Sequence, residues 1–529
     1  MKKSLIPALV LGAAALCIPE PSQAFCGFYV SGADAKLFNN ATIVVLMRDG
    51  LRTVLSMQNN YQGPLADFAM VVPVPVVLQE ENVKTLPNEV FTRVDRLTAP
   101  RLVEYWEQDP CHPNYPPEPM LASVRASVSD EESEESDAKD LGVKIEAKFS
   151  VGEYNILILS AVDSTGLDTF LRRQQYKIPE GAEPYLRPYV TGGSKFFVAK
   201  VDAKKVRFEN GQAMLSPLRF HYDSETFSLP VRLGLINSPG TQDLIVNVLA
   251  RSRYEAANYE NFAIPTNIRV NESVKDNFGA FYAAMFDKIL AQHPRAVITE
   301  YAWSAGSCDP CPEPPLEPAD LATLGATVLP AMEGALEVPP GFASNFTITR
   351  LHVRYTKDAL GEDMVFRMAP PIVGGTGIPN AEGQMMRGVQ QAGYNNFQGR
   401  YAILHPWTGP IQCEHPQRGM WGGPIQQVAG DTMKVATNLA FAPRGGVQLA
   451  SFLAEPESAL EGGDAKLPSG PVNEQPWPEI PKRGGCAACE IGSARAGGVA
   501  AGILSIFGAI VSIWRRRSRS SGRERSQKN

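Results

Sequence analysis

The chain has 529 residues, of which 45 are Gly and 43 Pro, and 44% are hydrophobic; this argues against both a disordered chain and a mostly helical one and leaves strands and turns to dominate. The length suits two or three domains with cores of their own. A formal net charge of −6 hides an asymmetry: residues 515–529 hold seven basic side chains and one acid, so residues 1–514 carry −12, and an acidic body without a basic face argues against nucleic-acid binding.

In chain order, Lys2-Lys3, the apolar run from Leu5 to Ile18 and the small residues Ser22 and Ala24 predict a secretory signal over 1–24, cleaved after Ala24. Between Ser129 and Asp140 the run SDEESEESDAKD lacks the spaced ligands and turn glycine of a calcium loop and reads as a solvated loop.

The chain also repeats itself. Asp67 to Pro75 (DFAMVVPVP) leads to Val83-Lys84, a helical stretch near Asn88 to Leu97, Glu104-Tyr105-Trp106 and Asp109-Pro110-Cys111; about 195 residues on, Asn261 to Pro265 (NFAIP) leads to Val274-Lys275, a helix near Phe278 to Ala291, Glu300-Tyr301-Ala302-Trp303 and Cys308-Asp309-Pro310-Cys311. A partial third echo runs from Asn396 to Cys413. Alternation over Arg219–Tyr222 and His352–Tyr355 reads as strand. The expected fold is therefore α+β and β-rich, with two duplicated strand–helix–cysteine-turn lobes over 25–210 and 211–454, the second holding the partial third repeat.

Phe25-Cys26-Gly27-Phe28-Tyr29, the following stretch to Asn40, Asn59-Asn60-Tyr61-Gln62-Gly63 and the VVPVPV segment resemble a bacterial family known only as domain of unknown function 2330. The resemblance runs from about Cys26 to at least Trp303 and is expected to reach about Ala454. It implies a secreted or membrane-anchored bacterial protein and brings no reaction or catalytic residue with it.

Beyond the signal seven cysteines remain: Cys26, Cys111, Cys308, Cys311, Cys413, Cys486 and Cys489. In an oxidising compartment they read as structural bridges. Cys26 with Cys111 is the expected pair of the first lobe and Cys413 with Cys308 or Cys311 that of the second, leaving one thiol or a Cys308–Cys311 bridge. The four prolines between Pro312 and Pro318 deny the Cys308-Asp309-Pro310-Cys311 motif the following helix that acidifies a redox thiol, which favours a structural bridge over a redox site. His405, Cys413 and His415 fall short of four paired zinc ligands, so no metal or cofactor is expected. The hydrolase elbow, zincin pair and phosphate loop are absent from the sequence. Asn39-Asn40, Asn59-Asn60-Tyr61, Trp407, Trp421 and Tyr394-Asn395-Asn396 are candidate glycan or peptide contacts, weighed against turn and strand-end roles.

Residues 455–490, rich in Pro, Gly and charge, read as a flexible stalk. Ala496 to Trp514 then runs 19 residues without a charge before Arg515-Arg516-Arg517, the pattern of one transmembrane helix with its basic tail, 515–529, in the cytoplasm. Cys486, Cys489, the apolar span and the arginine cluster also resemble a myxobacterial-type sorting signal, which would replace the helix by another surface attachment; a plain stop-transfer anchor and this signal stay open as alternatives. The expectation is a membrane-anchored extracytoplasmic protein in a noncatalytic binding or envelope-structural role, with the membrane and an envelope protein or glycan as partners. The alternative is a secreted enzyme or a redox protein using Cys308 and Cys311.

Overall fold

A computed structural model describes most of residues 28–477; residues 1–27, 31–37, 63–68, 113–141, 425–432, 438–447 and 478–529, with several stretches of one to five residues, fall outside the described part. The chain divides into two compact units, 1–480 and 481–529, and every described residue belongs to the first.

Residues 43–49 read IVVLMRD, and an apolar run of this kind makes a stable strand only where both faces are covered. The strand Ile43–Asp49 is buried along its whole length. It turns at Gly50 into Arg52–Met57, its antiparallel partner, and on its other side pairs in parallel with Gln242–Ala250, Ile43 lying opposite Ile245. Thr347–Tyr355 and Val297–Ser304 follow beyond Gln242–Ala250, and Leu218–Asp223 lies beyond Arg52–Met57, within an eleven-stranded sheet.

One face of this sheet, with Val44, Leu46, Leu55 and Val246, packs on Met70, Val72, Ile156 and Phe197 of a second, antiparallel sheet. That sheet runs Phe28–Val30, Ala69–Val74, Lys195–Val201, Tyr154–Ala161, Val143–Val151. Its outer face is covered by the helices Ser164–Arg173 and Glu183–Thr191. The far face of the large sheet is covered by Glu89–Thr98, Pro318–Leu324 and Phe278–Gln292. The result is four layers, helix, sheet, sheet and helix, each sheet alternating its side chains between two apolar neighbours. Glu89–Thr98 is helical because Val90, Phe91, Val94 and Leu97 share one face, and it stops before Pro100 with Ala99 extended.

A third, smaller sheet carries the turns of Cys111 and Cys413. Arg101–Glu107 pairs in parallel with Arg400–His405, which pairs in parallel with Ile268–Arg269.

The chain is β-rich with few helices, and helices occupy the two expected places. Duplicated lobes, by contrast, do not show among the described residues: the large sheet interleaves strands from both sides of residue 210. Each half supplies strands whose edges the other half satisfies, which a reading by sequence blocks does not anticipate.

The stalk expected over 455–490 also needs correction. Leu460 and Leu467 are buried in the core around Phe278–Gln292, Leu467 donates its N–H to the carbonyl of Asn261 at 3.1 Å, and Trp477 packs on Phe342 and Phe346. Three large apolar residues spaced along a polar stretch are enough to hold its described residues against the body; 461–465, 473–476 and 478–490 lie outside the described part. Among the described residues no helix is long and apolar enough to cross a membrane; the 1–24 signal, the acidic run, the 496–514 segment and the 515–529 tail lie outside them.

Candidate functional site

The 101–107 and 400–405 strands run side by side and end at the same edge, where Trp106 stacks on His405 with ring centroids 4.7 Å apart. Both chains must turn here, and Cys111 is bridged to Cys413 with their Cα atoms 5.6 Å apart. Glu107, buried between them, accepts from the Trp407 N–H at 2.9 Å, the Gly419 N–H at 2.7 Å and the Arg418 guanidinium at 2.8 Å. Burial would push this carboxyl up, but those donors hold it below the ordinary carboxylate range. Gly419 is required: its φ is +76°, and a Cβ there would meet Ala381 backbone at 2.3 Å.

On the opposite face of the 101–107 strand, Glu104 accepts from Lys275 at 2.6 Å and lies 2.7 Å from His405 Nε2. Burial works against the charge on Lys275, yet Glu104 and Glu272 raise its pKa. A cleft of about 160 Å³ opens beside this triad between Arg269, Asn271 and Glu272 on one side and Ile403 and His405 on the other.

The second cysteine turn follows the 297–304 strand. Cys308 and Cys311 are bridged to each other with Cα atoms 5.0 Å apart; Cys311 is exposed and Cys308 half-buried. Two fully buried side chains hold the turn from below. Gln398 Nε2 donates to the Asp309 carbonyl at 2.5 Å and to the Gly375 carbonyl at 2.9 Å, and Arg101 donates to the Pro310 carbonyl. Arg101 lies over the Tyr301 ring at 5.3 Å. Arg400, also buried, bonds to Asn267 Oδ1 at 2.9 Å and to the Tyr105 hydroxyl at 2.9 Å. Burial lowers the pKa of both arginines.

A third constellation is buried between the large sheet and the helices Glu89–Thr98 and Phe278–Gln292. Glu300 accepts from Arg350 Nε, from the Tyr282 hydroxyl and from His352 Nδ1, each at 2.6 Å. Arg350 continues to Asp95 Oδ1 at 2.6 Å and Thr98 Oγ1 at 3.1 Å, and Phe286 stacks on the His352 ring at 3.7 Å. Glu300 and Arg350 are fully buried and His352 nearly so, so this hub holds strands and helices together rather than meeting a solute. Sequence reasoning missed it. The signal was present in Arg350, His352 and Arg354, three bases at alternate positions of one apolar strand.

Of the residues singled out from sequence, Cys111, Cys308, Cys311 and Cys413 all lie in bridges. Cys111 joins Cys413 in place of the expected Cys26, because parallel strands bring their ends together across 302 positions, while Cys308 joins Cys311, one of the alternatives the sequence left open. Cys26, Cys486, Cys489, Arg515, Arg516 and Arg517 lie outside the described residues. Cys413, being bridged, is no thiolate ligand, His112 and His415 are exposed, and among the described residues no three His, Cys, Asp or Glu side chains converge for a metal. Asn39 and Asn40 pair with Tyr61 and Asn60 as strand residues. Trp421 packs with Leu404 and Met385 beside Val103 and Tyr105, and Asn395 Oδ1 accepts the Ile372 N–H at 3.1 Å, leaving Tyr394 exposed.

No curated protein matches the chain. A crystal structure of baculovirus P35 is similar over 43% of this chain and 69% of that chain, at 13% identity and a TM-score of 0.20, too low to carry any argument about fold. The family model described as an uncharacterized protein conserved in bacteria, DUF2330, matches residues 20–367, and since that is well over half of the chain, the protein belongs to this bacterial family.

Proposed function

We propose that this is an extracytoplasmic bacterial protein, exported by the 1–24 signal and tethered through 496–514, whose body serves by binding an envelope protein or glycan. The observation that carries the reading is the Cys111–Cys413 bridge, formed between residues 302 positions apart in a chain whose body holds a second bridge; bonds of this kind form and persist in oxidising compartments. The cleft beside His405 supports a binding role more than small-molecule chemistry, because its volume of about 160 Å³ is below the roughly 300–1,000 Å³ of most small-ligand sites.

Fractionation tests this. The full chain should sediment with membranes and its body should be digested by protease added to spheroplasts, while a chain ending at residue 495 should appear in the periplasm or medium. A body protected until the spheroplasts are lysed contradicts export, and a truncated chain that still sediments puts the anchor elsewhere. The C-terminal mass of the mature protein separates a retained helix from cleavage near Cys486.

A further inference from the structure

We propose that the Cys308–Cys311 disulfide is an exchange site that accepts two electrons from an exposed protein dithiol, a role separate from partner binding by the body. The pairing itself is the first ground. A ring closed over a sequence separation of 3 restricts the unfolded chain far less than one closed over 302, so the stabilising role expected of this motif falls to the other bridge.

The turn, moreover, is held without its sulfurs. The Leu316 N–H donates to the Ala305 carbonyl at 3.1 Å and closes the loop at its base. Leu316 is buried, Arg96 pairs with Glu313 at 2.5 Å, Arg93 donates to the Pro315 carbonyl at 2.9 Å, and Gln398 and Arg101 hold the two carbonyls between the cysteines. Opening the bridge therefore leaves the loop in place.

Exposure and charge point the same way. Cys311 is reachable from solvent. Beneath the turn lie Arg101 and Arg400, both buried, whose hydrogen bonds go to carbonyls, an amide and a phenol; among the described residues no carboxylate lies within ion-pair distance of either. Asp309 in the turn itself acts on both arginines without forming an ion pair with either; two buried cations with no paired carboxylate favour a further neighbouring anion, and a thiolate is the anion this turn generates. The helix dipole that the following prolines rule out is thus replaced by arginine.

In the reaction a substrate thiolate attacks Cys311 Sγ, the Cys308–Cys311 bond breaks and Cys308 leaves as thiolate. The second substrate thiolate then attacks the substrate sulfur of the mixed disulfide and expels Cys311. The dithiol becomes a disulfide, this bridge becomes two thiols, and the two protons released by the substrate end on these sulfurs or in solvent.

The test uses the full-length protein in detergent, equilibrated in glutathione redox buffers, quenched with N-ethylmaleimide and mapped by mass spectrometry. Cys308 and Cys311 should become doubly alkylated under conditions that leave Cys111–Cys413 intact and the circular dichroism unchanged. A Cys308→Ser variant should trap glutathione on Cys311, and a Cys311→Ser variant should alkylate at Cys308 with a midpoint below pH 7. An ordinary thiol is only about 3% thiolate at pH 7, against more than half here. Joint reduction of both bridges, loss of structure when Cys308–Cys311 opens, or a midpoint near 8.5 overturns the proposal.

Discussion

Glu300 shows what one buried carboxylate does to the whole stability curve. Burial alone would raise its pKa, but His352 and Arg350, with their hydrogen bonds and that of Tyr282, bring it down from 4.5 to about 2. A carboxyl depressed in the folded state contributes stability that is complete above its unfolded value and is lost as pH falls through the folded value, so this contribution, on the order of 3 kcal/mol, disappears between about pH 4.5 and pH 2. His352 acts earlier in the same direction. Burial lowers its pKa, the unfolded chain therefore takes up a proton that the folded chain resists, and stability begins to fall as pH drops below about 6.5. Urea midpoints measured from pH 7 to pH 2 should fall in two stages, and Glu300→Gln should flatten the lower one. Glu300→Ala removes one of the two carboxylates of Arg350, leaves the Tyr282 hydroxyl unpaired and opens a cavity, and should cost about 3–5 kcal/mol at pH 7. A loss under 1 kcal/mol by urea denaturation would mean that the hub is not paired in this way.

At the scale of elements, the two bridges and the docked segment after residue 454 set the expectations. Chain-entropy reasoning gives about 2 kcal/mol for closing the short Cys308–Cys311 ring and about 5 to 6 kcal/mol for Cys111–Cys413. Cys111→Ser with Cys413→Ser should therefore lower the unfolding midpoint well beyond Cys308→Ser with Cys311→Ser, and equal losses would contradict the assigned pairing. Trp477 is half-buried, its indole N–H donates to Asp49 Oδ1 at 2.7 Å, and Arg251 lies over its ring at 5.1 Å. Trp477→Ala should cost about 2 kcal/mol, less than the 3–5 kcal/mol of a fully buried aromatic. It should also open residues 455–477 to limited proteolysis while the 43–57 hairpin stays protected. Unchanged proteolysis would show that Leu460 and Leu467 hold the segment alone.

The local elements were legible from the chain because they rest on local causes. The apolar face of Val90, Phe91, Val94 and Leu97 announces the 89–98 helix, and the alternation around Arg219 and His352 announces strands that are present at Leu218–Asp223 and Thr347–Tyr355. Pairing was not legible, because Ile43–Asp49 beside Gln242–Ala250 and Arg101–Glu107 beside Arg400–His405 are contacts between residues about 200 to 300 positions apart that leave no mark on the local pattern. The expected Cys26–Cys111 pair fails for the same reason: position within the first lobe favours Cys26 as the partner of Cys111, whereas a parallel strand delivers Cys413 to it. The docked segment was misread because its average composition is polar, and three side chains decide its position.

At the scale of the molecule, the two halves of the sequence build one interleaved sheet, so neither half is expected to fold alone; separate expression of 25–210 and 211–454 should give aggregated or unfolded chains. The function proposed for this protein depends on the compartment in which its body folds. The most direct measurement is the redox state of Cys111 and Cys413 in living cells, fixed by acid quenching and alkylation before lysis and read by mass spectrometry of a non-reduced digest. A body exported across the membrane predicts the linked Cys111–Cys413 peptide with almost no alkylated form, whatever the state of Cys308 and Cys311. Cys111 and Cys413 recovered as alkylated free thiols would place the folded body in a reducing compartment and contradict the account.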